Sequence, residues 1–164
     1  MCEVLSRKYV EVSQEQLPDQ HPVAVFARYW ASKRSARSEL PCRNDLKPSE
    51  MLPTIPWLLI LERSGEAPNW QFRYRLAGTG CTELFGIDYT NKLLGENLLP
   101  EGTKIRQQEF ERALSSREPI FSQTPLPVPD REFITAYRGV FPVSTDGSEA
   151  DQIFCVIAAD RTMI

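Results

Sequence analysis

Two seven-residue apolar runs, IPWLLIL at 55–61 and IFCVIAA at 153–159, set the strongest limits on what this chain folds into. A helix that crosses a membrane needs about 20 consecutive apolar residues, so runs this short read as buried strands. The 41% apolar and 25% charged residues suit an ordinary core built around them. At 164 residues the chain suits one domain.

The other strands follow from alternation and turn residues. Trp57–Glu62 is closed by Ser64-Gly65. In Phe72–Ala77, Phe72, Tyr74 and Leu76 point one way and Arg73 and Arg75 the other, which implies one buried and one less apolar sheet face. Ile120–Thr124, Phe133–Phe141 and Ile153–Ala159 complete the set, and Asp146-Gly147 marks a hairpin between the last two. Short helical pieces are expected at Cys81–Phe85 and Gly95–Leu99. A longer helix at 103–117 carries Ile105, Phe110, Ala113 and Leu114 on its apolar face. Two strands, helices, then three strands predict an α+β fold with one five-stranded antiparallel sheet and the helices against one face.

Ahead of the sheet, LPDQHPVAVFARYWASKRSAR predicts an amphipathic helix at 21–36, with Asp19 as N-cap and Pro22 in the first turn. Val23, Phe26, Ala27 and Trp30 form its apolar stripe. Arg28, Lys33, Arg34 and Arg37 read as its solvated surface. Pro41, Pro48, Pro53 and Pro56 break up the connector that follows, with one helical turn at Pro48–Leu52. Residues 1–20 are polar and weakly patterned and are expected to be a mobile lead-in. The domain is then 21–164, leading helix included.

A net charge of −3 and a pI near 5.3 argue against nucleic-acid binding by the whole domain. The N-terminus shows no secretory pattern, and Cys2, Cys42, Cys81 and Cys155 have no paired spacing. Neither disulfides nor a structural zinc site is expected, and a reducing cytoplasm is.

The stretch FRYRLAGTGCTELFGID at 72–88 first suggests a phosphate-cradling turn. A dinucleotide site wants a third glycine where this chain has Glu83, whose carboxylate would repel a pyrophosphate at a helix N-terminus. The strand before it alternates, unlike a central parallel strand. That reading fails.

The same stretch resembles a PAS domain. RYW (28–30), LPCRNDLKPSEM (40–51), LLILE (58–62), YRLAGTGCTELFG within 72–88 and FPVS (141–144) occur in the order of one alphaproteobacterial single-PAS subfamily with a leading helix and a proline-containing connector. The resemblance covers about 22–160. It implies that Gly78 and Gly80 permit a sharp strand-to-helix turn and that Gly86 ends the helix. The subfamily tends to have glycine where this chain has Asn91, a residue that tolerates a left-handed turn.

PAS relatives hold a small molecule on the concave sheet face, or hold nothing and transmit contacts. The resemblance therefore makes Phe72, Tyr74, Leu76, Leu84, Phe85, Phe110, Leu114 and Tyr137 ligand-pocket candidates. A flavin photosensor of this fold needs a cysteine in an NCRFL-like helix, and a haem version a histidine on the long helix. This chain has neither motif, and its one histidine is His21. No cofactor, catalytic group or metal is expected. Relatives also dock the leading helix outside the sheet, which makes Val23, Phe26, Ala27 and Trp30 homodimer-interface candidates.

The function implied is a cytoplasmic, non-enzymatic sensory and interaction module. It would act through a small organic ligand, dimerisation and another signalling protein, without nucleic acid or membrane. No output domain follows in this sequence, so the output is expected to pass through a partner. The alternatives are a cysteine-dependent enzyme or redox sensor at Cys81, and a ligand-free dimerisation scaffold. Cys81 itself reads more simply as a buried packing residue.

Overall fold

A computed structural model describes residues 9–34, 39–126 and 128–164. Cys2 and Arg37 lie outside them. The elements run β1 (Val10–Val12), α1 (Pro22–Ser32), β2 (Leu58–Ser64), β3 (Gln71–Ala77), α2 (Thr79–Phe85), α3 (Pro100–Ser116), β4 (Ile120–Pro125), β5 (Thr135–Val143) and β6 (Gln152–Ala159). All strands join one antiparallel sheet in the order β1-β4-β5-β6-β2-β3. The expected α+β architecture is present, with one strand more than expected.

That extra strand arises in the segment expected to be a mobile lead-in. Val10–Val12 pairs with β4, and Leu17 is buried in the core. Three residues are too few to show a strand period, so the sequence pattern there was silent.

The two apolar runs lie side by side. Leu58 pairs with Val156 and Leu61 with Ile153, so β2 and β6 are neighbours and neither is an edge strand. Their apolar character is continuous because both sheet faces are covered. On one face α1 packs Phe26 against Phe141 and Phe154, at ring-centroid distances of 4.8 and 6.1 Å. The Trp30 indole N–H donates to the Pro142 carbonyl at 3.0 Å. On the opposite face lie α2 and α3, where Phe110 meets Phe72 edge-on at 5.2 Å. The expectation of one less apolar face survives only at the outer edge of β3, where Arg73, Arg75 and Leu76 are exposed.

Helix α1 is shorter than the expected 21–36. His21, not Asp19, is the N-cap: its Nδ1 accepts from the Val23 amide at 3.2 Å and its Nε2–H donates to the Ala159 carbonyl at 3.0 Å. Gly95–Leu99 forms turns, and α3 starts earlier, at Pro100, a residue suited to the first helical position.

Gly78 and Gly80 are needed for closeness more than for dihedral freedom. Gly78 has ordinary extended angles, but a Cβ there would sit 2.3 Å from the Ile55 carbonyl oxygen. One at Gly80 would meet Pro56 O and the Trp57 ring at 2.8 Å. Left-handed positions include Gly86 (φ 80°), which ends α2, and Asn91 (φ 69°), a residue type that tolerates such a turn.

Candidate functional site

The face of the sheet under α2 and α3 is filled by the chain's own side chains. Phe72, Phe85, Phe110 and Leu114 are buried there, and Leu84 is half-buried against the core. Tyr74 stacks on Tyr89 at 5.1 Å, and Phe85 meets Tyr89 edge-on at 5.0 Å. Burial raises the Tyr74 and Tyr89 phenol pKa values, so both stay protonated.

Two of the pocket candidates lie elsewhere. The β2–β3 register slips between Ile60 and Leu61, which pair with Leu76 and Tyr74 and leave Arg75 as the extra residue of a bulge. Beyond a bulge the alternation changes phase. Leu76 therefore joins Ile60 on the α1 face and is 37% exposed. Tyr137 also lies on the α1 face, edge-on to His21 at 5.2 Å.

At the centre of the filled face is a charged cluster that the sequence reading missed. Arg138 on β5 donates to the Glu109 carboxylate on α3, and both side chains are nearly inaccessible (4% and 2%). Burial alone would lower the Arg138 pKa, but the adjacent Glu109 charge more than offsets this and raises it. The second Glu109 oxygen accepts from the Tyr9 hydroxyl, just ahead of β1. Glu11 on β1 then pairs with Arg112 on α3 at the surface. Arg106, one turn before Glu109, is also buried, and burial followed by repulsion from Arg138 lowers its pKa. Among the described residues it makes no hydrogen bond or ion pair. Spacing gave a usable signal: 106, 109, 110 and 113 form one helical stripe, and Arg138 sits in phase with inward Ala136 and Val140.

Two of the thiols, Cys81 and Cys155, are buried. Cys81 is fully buried, its Sγ 4.0 Å from the Ile157 carbonyl, and burial raises its pKa. Burial does the same to Cys155, which lies between Ile157 and Ile153 on the same sheet face. His21 is on the opposite face with both ring nitrogens engaged.

The stripe considered as a homodimer interface is satisfied within its own chain. Val23 and Phe26 are 0% exposed, and Ala27 and Trp30 nearly so. The helix does lie outside the α2–α3 face, but it covers the other face and leaves no apolar surface from these four residues. Its basic side chains are partly engaged: Arg28 donates to the Asp19 carbonyl, Lys33 pairs with Glu50 and Arg34 with Glu118.

A solved structure described as an RNA-binding light-oxygen-voltage receptor aligns at 13% identity with a TM-score of 0.41, covering 65% of this chain and 31% of the receptor. The chain thus spans about a third of that receptor's length. No curated protein matches it. Among the described residues no helix is long and apolar enough to cross a membrane. The model of the PAS domain matches residues 19–135, well over half the chain, from two residues before the α1 N-cap to the first residue of β5. The chain belongs to the PAS domain family.

Proposed function

We propose that this PAS domain is a cytoplasmic, non-enzymatic sensory and interaction module, of the alphaproteobacterial single-PAS kind. Its signal is a change in packing passed to another protein. PAS membership supports the sensory part. The observation that carries the rest is the Tyr9–Glu109–Arg138 chain of hydrogen bonds, which ties the interior of the filled face to the edge strand β1.

A small organic ligand or a partner that disturbs Glu109 loosens Tyr9, and β1 then leaves β4. The freed β4 edge presents unpaired backbone groups, a ready surface for strand addition by a signalling partner or a second copy. Self-association belongs to this reading through the sheet edge, not through the α1 stripe. The cysteine-enzyme alternative is disfavoured by the burial of Cys81 and by His21 on the other face.

Sedimentation velocity and native mass spectrometry of wild type and Tyr9→Phe test the proposal. The expected result is reversible self-association at high micromolar concentration that strengthens severalfold in Tyr9→Phe. A chain that stays monomeric and ligand-free in both forms contradicts it.

A further inference from the structure

On the α1 face, away from the filled interior, the connector stands off the sheet and leaves a cleft of about 410 Å³. This lies within the range of small-molecule sites, about 300–1,000 Å³. Its floor is apolar, formed by Leu58 and Ile60 of β2, the displaced Leu76 of β3, and Leu46 and Met51 of the connector. Arg43 and Lys47 stand among the lining residues, which include no carboxylate.

Neither cation has an ion pair among the described residues. Arg43 lies over the Phe154 ring at 5.1 Å, which fixes the guanidinium at the cleft. Its nearby carboxylate, Glu62, is already held by Arg75 at 2.5 Å. Partial burial, then the Arg75 charge, lowers the Arg43 pKa, against the raising effect of Glu62. The bulge that turns Leu76 out of the interior is also what completes this floor.

We propose that this cleft is a binding site for a small anionic amphiphile, a medium-chain monocarboxylate. Its hydrocarbon chain lies on Ile60, Leu76 and Met51, and its carboxylate accepts hydrogen bonds from Arg43 with Lys47 close by. An apolar floor alone takes any alkyl chain. The unpaired arginine selects the anion, because charge-assisted hydrogen bonds to a carboxylate are the strong ones.

Amide NMR spectra of the labelled protein, titrated with sodium decanoate below its micelle concentration, test the site, with decan-1-ol and decyltrimethylammonium as controls. Saturable one-to-one binding is expected, with the largest shifts at Leu46, Met51, Ile60 and Leu76. Decanol should bind about tenfold more weakly, and Arg43→Gln should lose about tenfold for decanoate. Lys47→Gln, at an exposed position, should lose roughly threefold and serves as the variant least able to disturb folding. Four results overturn the proposal: absence of saturation, equal affinity for the three probes, indifference to both substitutions, or shifts centred on Phe72, Tyr74 and Phe110. The last would place the ligand in the filled face and leave the sensory reading standing.

Discussion

Glu109 and Arg138 are charges taken almost completely out of water, a cost repaid only while both are present. Deleting one partner of such a pair leaves the other uncompensated and typically costs about 3–5 kcal/mol. Glu109→Gln should therefore destabilise the domain by about that much in chemical denaturation. Arg112→Gln, which removes the half-exposed pair with Glu11, should cost less than about 1 kcal/mol. Equal effects would mean that the interior pair is hydrated in solution. The sequence made the aromatic lining of this face legible, because Phe72, Tyr74, Phe85 and Phe110 follow strand and helix periods. It concealed the charges among them, since a charged side chain in an amphipathic pattern ordinarily marks the solvated side. Leu76 was misplaced for another reason: a single inserted residue reverses the phase of a strand, and nothing in QFRYRLA announces it.

At the scale of elements, the leading helix is the part whose role changed most. Its stripe was legible in the sequence, but which surface it covers depends on contacts about 110 residues away, such as Trp30 to Pro142. Phe26→Ala should cost about 3–5 kcal/mol, the usual loss for a buried aromatic. Phe26→Glu should prevent folding rather than release a monomer, as circular dichroism at fixed concentration would reveal. A folded, dissociated Phe26→Glu would restore the stripe as an interface.

The same helix brings a pH dependence. Burial lowers the His21 pKa from its ordinary 6.5, against the raising effect of its bonds to Ala159 and Ala158. The unfolded chain then binds a proton more readily than the folded one. Stability is full above pH 6.5 and is lost as pH falls through the lowered folded value. His21→Asn keeps a capping acceptor but does not titrate. Thermal melts between pH 7.5 and 5 should show wild type losing more stability than His21→Asn. Parallel curves would contradict a buried neutral His21.

At the scale of the molecule, one chain covers both faces of its sheet, with α1 on one side and α2 and α3 on the other, and extends the β4 edge with β1. Five strands and their succession along the chain were readable because each sits between recognisable turns, and the apolar runs marked two of them as buried; the pairing of β2 with β6 was not readable. Nor was the β4 edge: β1 is held by Tyr9 and Glu11 reaching α3, a tertiary effect with no local pattern. Hydrogen exchange followed by mass spectrometry tests that link between interior and edge most directly. In Tyr9→Phe, amides of Val10–Val12 and of Phe121–Gln123 on β4 should exchange severalfold faster than in wild type, with β6 protection unchanged. Exchange identical in the two proteins, or raised uniformly across the sheet, would contradict the account.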